Sequence, residues 1–203
     1  SVVLSLGLGL TLLVTLALID GNLRRQIGGD LQTQAPNFFF VDIQANEVDS
    51  FAALLAEEAP QGEVMRVPML RGRIVALNGI DVQKIDVPPD GAWVLRGDRG
   101  ITYSATLPEN ATLSEGEWWP QDYSGEPLVS FSAEEANELG LKIGDTVTVN
   151  VLGRELTARI ASLRTVKWES MSINFVMVFS PNAFAGAPHS WLATLTDRGA
   201  DTA

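Results

Sequence analysis

The chain has 203 residues, of which 46% are hydrophobic and 19% are charged, so it can bury a core and does not have the composition of a disordered segment. Acidic residues outnumber basic ones by 25 to 14, and residues 28–203 hold 24 of the acids and 12 of the bases. A body this acidic repels phosphate backbones, so no nucleic-acid partner is expected. There is no cysteine, which excludes disulfides, thiolate metal sites and cysteine nucleophiles.

The first nineteen residues, 1–19, carry no charge. As a helix they would be about 28 Å long, close to the roughly 30 Å hydrocarbon thickness of a bilayer. The run is too long for a secretory signal and ends without a small-residue cleavage site. It therefore predicts a transmembrane helix, which together with its stalk occupies residues 1–27. The alternative is a buried helix of a soluble protein.

Three small residues in this segment, Ser1, Ser5 and Gly9, recur every four positions and would share one helical face, where a second helix can approach closely. Arg24 and Arg25 follow the apolar run and by a positive-inside count favour a cytoplasmic body. Long domains, however, cross membranes largely regardless of charge, so the residues alone leave the orientation open. Because the chain begins without an initiator methionine, we expect it to be part of a longer protein.

The first half of the body predicts a βαβ unit. Residues 38–43 are aromatic and β-branched, which predicts a strand buried on both faces. Asn46 is a candidate N-cap for a helix that stops at Pro60, and residues 64–77 predict a second strand, in which Pro68 indicates an edge or a bulge. Residues 78–125 are rich in turn signals, with short strands predicted at 92–95 and 101–105.

The second half contains a compact strand–helix–hairpin pattern. Residues 128–131 predict a strand, and Ser132 to Glu135 form a capping box for a helix that Gly140 ends. Residues 146–152 alternate between apolar and polar side chains, and after Gly153 the alternation returns along 156–160, which predicts a β-hairpin. Further strands are predicted at 175–180 and 191–196, with a turn or short helix at 182–185.

Few side chains in this sequence indicate catalysis. The single histidine, His189, has no second histidine to assist it, and no serine lies in a G-x-S-x-G elbow, so a structural or solvated role is favoured. No phosphate-binding loop or metal-ligand spacing is present. The sequence predicts no catalytic, cofactor-binding or metal-binding residue and no cofactor.

One aromatic stretch, from Glu117 to Tyr123, places Trp118, Trp119 and Tyr123 among acidic residues and proline. Aromatic side chains in loops are typical of recognition surfaces, so these three are candidates for an interaction surface. The alternative is that the two tryptophans fill the seam between two subdomains.

Five segments of the chain carry a family resemblance. In order they are SVVLSLGLGLTLLVTLALIDGNLRRQI, FFFVDIQ, TYSATLPENATLSEGEWWP, LVSFSAEEANELGLKIGDTVTVNVLGRELTARI and INFVMVFSPNAF. Together they resemble the large permease subunits of the FtsX-like, MacB-like group of ABC transporters, and within it they are most similar to the YbbP-type permeases. The resemblance covers nearly the whole chain.

The resemblance implies an α+β protein of the bacterial inner membrane: one transmembrane helix followed by a MacB-like periplasmic core domain of two subdomains. A discontinuous α/β subdomain with a βαβ-type mixed sheet is expected from residues 36–105 together with 171–197. A β-rich subdomain is expected as an insertion at 106–170. The implied partners are the remaining transmembrane helices of the same permease and a separate cytoplasmic ABC ATPase subunit.

Three function classes follow. The expected one is the extracytoplasmic domain of an ABC permease that couples cytoplasmic ATP hydrolysis to export or extraction of a hydrophobic or lipid-type substrate, or to periplasmic mechanotransmission. Since the YbbP group is associated with lipid- or ester-hydrolysing proteins, such a periplasmic protein is a further expected partner. The alternative is a single-anchor periplasmic binding or adaptor domain. A membrane-tethered hydrolase is disfavoured by the missing motifs, and we expect no enzyme activity in this chain.

Overall fold

A computed structural model describes residues 2–28, 36–168 and 172–197. Within these ranges the helices are α1 (Val2–Gly28), α2 (Val48–Glu58), α3 (Pro89–Leu95) and α4 (Ala133–Glu138). The strands are β1 (Phe38–Ile43), β2 (Glu63–Leu77), β3 (Ile80–Asp81), β4 (Arg99–Tyr103), β5 (Ala111–Gly116), β6 (Leu128–Ser132), β7 (Thr146–Val151), β8 (Arg154–Val166), β9 (Met177–Phe179) and β10 (Ser190–Thr196). Two 3₁₀ helices cover Val82–Lys84 and Pro181–Phe184.

The apolar N-terminal segment forms α1, as predicted, and its side chains from Leu10 to Ile19 are exposed. Among the residues that the structure describes, however, no helix combines the length and apolar character needed to cross a membrane. The helix itself is confirmed, and its predicted membrane crossing is not.

A small antiparallel sheet follows, in the order β1–β10–β2. Because β10 runs antiparallel to both neighbours, β1 and β2 are parallel to each other, and α2 connects them across one face. The predicted βαβ unit is therefore present in its split form, with a strand from the far end of the chain between its two strands. Leu55 of α2 and Ala59, the residue that follows the helix, pack on Leu195 of β10, together with Phe40 and Phe51.

Two local predictions in this unit were wrong. β1 was expected to be buried on both faces, but it is the edge strand of the sheet, and its side chains at Phe38, Phe39 and Val41 are 45%, 50% and 70% exposed. Asn46 was expected to cap α2, but the N-cap position is Glu47, and no side chain caps the helix there. At Pro68 the structure agrees with the sequence, because β2 is there the outer strand of the small sheet.

The second half of β2 enters a closed barrel of six strands. The barrel runs β2–β4–β9–β6–β8–β7 and returns to β2, with parallel pairs at β4–β9 and β6–β8 and antiparallel pairs elsewhere. Closure removes free edges from these strands. β5 pairs with the end of β8 outside the ring, and β3 pairs with β2.

The barrel encloses the main hydrophobic core. Its most deeply buried members, each at 0% exposure, include Ile74, Ile101, Phe131, Ile160 and Met177. The predicted hairpin of β7 and β8 is confirmed, since Val147, Val149 and Val151 face this core while the residues between them are half-buried. Its two-residue turn, Leu152-Gly153, has positive φ at both positions, as type I′ turns require.

Two other predictions concern short helices. Residues 92–95 were predicted to be a strand, but they form the end of α3, because Pro89 in its first turn has its φ preset for a helix and Val94 reaches the barrel core. The predicted capping box at Ser132 is absent: α4 begins there, but Ser132 is buried as the last residue of β6 and its side chain caps nothing. Glu135, the expected partner in the box, is itself buried. Gly140 ends the helix with φ 69°, as expected.

The barrel also bears on the predicted subdomains. β4 and β9 belong to the proposed discontinuous subdomain, at 36–105 and 171–197, whereas β6, β7 and β8 belong to the proposed insertion at 106–170. All five strands lie in one barrel, which the predicted boundaries divide. The strand pairing instead separates the small sheet from the barrel at the middle of β2. The two-subdomain division remains a prediction.

Candidate functional site

The candidate site is a groove of about 670 Å³ at the point where β2 passes from the small sheet into the barrel. We call it the junction groove. Its lining comes from β1, β2, β10, the β7–β8 turn and the segment before β10. These residues are Val41, Asp42, Gln44, Met69, Leu70, Arg71, Leu152, Pro188, His189, Ser190 and Leu192.

The rim of the junction groove exposes two aliphatic side chains. Leu152 is 68% exposed and Val41 is 70% exposed, the largest values among the large hydrophobic residues in the described part of the body. Leu152 belongs to the hairpin turn and Val41 to the edge strand, so elements from both the barrel and the small sheet contribute. Exposed apolar side chains gathered at a concave site are typical of binding sites.

The groove also contains unusual backbone. Asp42 has φ 59° and Leu152 has φ 52°, and the described residues show only one other non-glycine residue with positive φ, Asn78. A left-handed conformation is disfavoured for leucine, which lacks the local hydrogen bond that asparagine or aspartate can form. Strained backbone of this kind is concentrated at functional sites, which supports the groove as the candidate.

Opposite charges line the groove without neutralising each other. The guanidinium of Arg71 and the carboxylate of Asp42 are both exposed, and neither forms an ion pair with any residue that the structure describes. By contrast, Arg73, two residues along β2, pairs with Asp98 at 3.2 Å. The groove thus presents one cation and one anion that are available to a ligand.

His189 is held in place by both ring nitrogens. Its Nδ1 lies 3.0 Å from the carbonyl oxygen of Ala187, and its Nε2 lies 3.3 Å from the hydroxyl of Tyr103. In the neutral ring, Nδ1–H therefore donates to Ala187, and Nε2 accepts from Tyr103. A tyrosine hydroxyl is protonated at neutral pH and can donate, and burial raises the pKa of Tyr103 further. This arrangement agrees with the structural role favoured from the sequence.

A second, smaller cavity of about 300 Å³ adjoins the groove and shares Leu152 and Pro188 with it. It lies between the β7–β8 hairpin and residues 183–188. Leu152 therefore stands between two depressions, so a side chain at this turn affects both.

The aromatic stretch lies elsewhere. Trp119 is only 4% exposed and packs with Leu128, Phe175 and Val178, and Met69 and Leu192 from the small sheet and its junction contact the same cluster. Its indole donates to the carbonyl oxygen of Ser104 at 2.8 Å. A ring buried in this way agrees with the alternative in which it fills a seam.

The other two residues of the proposed interaction surface are half-buried. The indole of Trp118 donates to the carbonyl oxygen of Ala105 at 3.0 Å, and its ring centroid is 4.1 Å from that of Trp119. The hydroxyl of Tyr123 donates to the carbonyl oxygen of Glu126 at 3.0 Å. Their contribution to a contact surface remains a prediction.

The predicted helix-packing face is described only in part. Ser1 lies outside the described residues, and of Ser5 the structure describes only that it is helical. Gly9 lies in α1, where an added Cβ would meet open space. Its role in packing stays a prediction.

Two other clusters of side chains were not predicted from the sequence. The rings of Trp93 and Trp168 meet edge to face with centroids 6.5 Å apart, and the guanidinium carbon of Arg99 lies 4.9 Å from the centroid of the Trp93 ring.

The second cluster lies inside the protein. Arg164 is 2% exposed and donates to the carbonyl oxygens of Phe175 and Val176 at 2.8 and 3.0 Å. Burial lowers the pKa of Arg164 to about 10, and the carboxylate of Glu135 acts in the opposite direction.

The groove itself was also missed, because its residues come from distant parts of the chain. One signal was available in the sequence. A two-residue hairpin turn normally carries Asn-Gly or Asp-Gly, whereas this one carries Leu-Gly. Leucine at the first position of this turn is less stable than asparagine or aspartate, and local departures from the most stable residue are typical of functional sites.

Comparison with known proteins bears on the same question. The chain is 31% identical over 189 residues to the "Uncharacterized ABC transporter permease YbbP" of Escherichia coli (strain K12). The similarity supports an ABC transporter permease family. The aligned part covers 92% of this chain but only 22% of the relative, so the chain spans about a fifth of the protein that it resembles. No family model matches the chain.

Proposed function

We propose that this chain is the extracytoplasmic part of an ABC transporter permease, and that it moves in response to ATP hydrolysis on a separate cytoplasmic subunit. Such movement would export or extract a hydrophobic or lipid-type substrate, or transmit force to a periplasmic partner, for which a lipid- or ester-hydrolysing protein is a candidate. The observation that carries the proposal is the similarity to a permease over 92% of the chain.

The attachment of the body supports this proposal. The backbone N–H of Asn37 donates to the carbonyl oxygen of Leu195 at 2.9 Å, and the side-chain oxygen of Asn37 accepts from the backbone N–H of Asp197 at 2.7 Å. The two ends of the body therefore lie side by side. A domain inserted into a longer membrane protein is expected to have this arrangement.

The path between the attachment point and the groove is short and continuous. β10 ends beside Asn37 and pairs with β2 over seven residues, from Ser190 opposite Met69 to Thr196 opposite Glu63. β2 then continues into the barrel past the junction groove. We therefore expect a displacement at the attachment point to reach the junction of the small sheet and the barrel.

The first experiment tests location. The sequence has no cysteine, so a single cysteine can be introduced at the exposed Ser114 in a cysteine-free version of the full-length protein. A membrane-impermeant maleimide should label S114C in intact cells with a permeabilised outer membrane. Labelling that requires rupture of the inner membrane would refute an extracytoplasmic body.

The second experiment tests coupling. The full-length protein is purified with its ATPase partner, and Val41→Cys and Leu152→Cys are joined by bismaleimides of increasing length. A short linker should slow ATP hydrolysis by the complex, and longer linkers should slow it progressively less. The two single-cysteine variants treated with the same reagents are the controls. Equal hydrolysis in the short-linked and unlinked complexes would show that the junction does not move.

The alternative, a periplasmic binding or adaptor domain with a single anchor, is favoured by the junction groove alone. It predicts that the full-length protein purifies without an ABC ATPase. Stable co-purification with an ATPase whose activity depends on this protein would exclude it.

A further inference from the structure

We propose that the junction groove binds a zwitterionic amphiphile, a molecule with an apolar chain and a head group that carries one cationic and one anionic group. This inference deepens the proposed function by assigning a substrate class to a defined site. That the bound amphiphile is a transport substrate rests on the proposed function. Binding itself does not require the ATPase.

The apolar part of the ligand is indicated by the walls of the groove. Met69, Leu70, Pro188 and Leu192 line it, and Leu152 stands at its rim. The volume of about 670 Å³ lies within the range of about 300–1,000 Å³ typical of small-molecule sites. Leu70 is buried in the barrel core and Met69 and Leu192 are half-buried, so an alkyl chain in this space would mainly cover Pro188 and Leu152, which are exposed to water.

The head group is indicated by the charges. Asp42 and Arg71 both line the groove, and neither has an ion-pair partner among the described residues. A ligand with a single charge would compensate one of them and bring the other toward a desolvated region without a partner. A ligand with both charges can form a charge-assisted hydrogen bond with each. An ammonium next to Asp42 and a phosphate next to Arg71 satisfy this requirement.

The strained turn provides an independent argument. With φ 52°, Leu152 occupies a position where asparagine or glycine would be more stable, and two-thirds of its side chain is in water. In the free protein, leucine at this position stabilises neither the turn backbone nor the hydrophobic core. Contact with an apolar ligand would explain the leucine. In that case, replacement of Leu152 should raise the stability of the protein and weaken ligand binding.

The binding experiment uses the purified full chain and calorimetric titration with four amphiphiles that share one alkyl chain. They are a lysophosphoethanolamine, an alkyl methyl phosphate (a diester with one negative charge), an alkylammonium and an alkyl glucoside, each below its critical micelle concentration. The zwitterion should bind about tenfold more tightly than either singly charged probe, since it makes one further charge-assisted bond. Equal affinity for all four probes would overturn the proposal, because it would show only non-specific apolar adsorption.

Charge variants test the head-group contacts. Arg71→Gln and Asp42→Asn should each weaken binding of the zwitterion about tenfold and leave binding of the glucoside unchanged. Asparagine tolerates positive φ, so the backbone at position 42 is preserved. Arg73→Gln, two residues along the same strand but outside the groove, is the matched control and should bind normally. A loss in R73Q equal to that in R71Q would refute a specific role for Arg71.

The turn variant tests the apolar contact. Leu152→Asn creates the preferred Asn-Gly turn, so we expect a higher melting temperature together with about tenfold weaker binding. Ile80→Asn removes an exposed aliphatic side chain outside the groove and should leave binding unchanged. Unchanged binding by a stabilised L152N variant would overturn the assignment of Leu152 to the site.

The outcome is separate from that of the function experiments. If no probe binds while the cross-linked complex loses ATP hydrolysis, the ligand site is wrong and the coupling proposal stands. If the zwitterion binds and no ATPase partner is found, the ligand site stands and the coupling proposal is wrong.

Discussion

Trp119 packs in the seam between the small sheet and the barrel, and its replacement by alanine is the sharpest test of this architecture. The ring packs between barrel residues Leu128 and Val178 and the small-sheet residues Val67 and Leu192, and it is 4% exposed. Removal of the ring leaves a cavity at the point where the two parts of the body meet. We expect Trp119→Ala to destabilise the body strongly.

The magnitude follows from burial and hydrogen bonding. A buried tryptophan covers about 150–250 Å² of surface, and large-to-small replacement of such rings costs about 3–5 kcal/mol. The indole N–H also donates to Ser104 at 2.8 Å, and loss of this bond leaves a part-buried carbonyl without its donor, which costs about 1 kcal/mol or more. A loss of about 4 kcal/mol corresponds to a fall in melting temperature of roughly 8–16 °C at this chain length.

The assay is equilibrium unfolding in urea, followed by circular dichroism, with a thermal melt as the second measurement. Trp119→Phe is the first control, because it keeps most of the apolar contact and removes the indole hydrogen bond. Trp118→Ala is the second, because that ring is only half-buried and its loss should cost clearly less. If W119A is no less stable than W118A, the seam does not depend on Trp119 and the reasoning is refuted.

Three further predictions use the same unfolding assay. Val149→Asp places a charge in the barrel core and should cost several kcal/mol, whereas Thr148→Asp, on the half-buried face beside Thr157, should cost far less; equal losses would show that the inward and outward faces are misassigned. Arg164→Ala should cost about 3–5 kcal/mol, because it leaves buried carbonyl oxygens and the carboxylate of Glu135 without their cationic partner. If Arg164 and Glu135 are coupled, the double variant with Glu135→Gln should lose less stability than R164A alone; an equal loss in the two variants would contradict the coupling. Burial raises the pKa of Tyr103, so the unfolded chain ionises first and stability should fall as pH rises above the ordinary tyrosine pKa of about 10; Tyr103→Phe should flatten that fall, and an unchanged pH profile would contradict this role.

The local structure of this protein was largely readable from its sequence. The alternation in β7 and β8 placed Val147, Val149 and Val151 on the core side, because side chains on a strand alternate with a period of two. The spacing of apolar residues likewise located α2, and the uncharged run located α1. These features depend on neighbours in sequence, which is why a sequence pattern determines them.

The candidate site could not be predicted in the same way. Val41, Arg71, Leu152 and His189 become neighbours only because β10 inserts between β1 and β2 and the hairpin turn reaches the same junction. The sequence indicated Trp118, Trp119 and Tyr123 as a contact surface or, for the two tryptophans, as a filling of a seam, and the burial of Trp119 became visible only in the structure.

What the sequence alone determined is the composition, the acidic charge, the absence of cysteine and most helices and strands. What only the tertiary structure decided is which strands pair, that six of them close into a barrel, and that β1 is left as a half-solvated edge. The physical reason is that strand pairing joins residues far apart in the chain, and burial depends on what covers a side chain from outside its own element. The same reason places the candidate ligand site at the junction of two sheets, where no single segment of the sequence contains it.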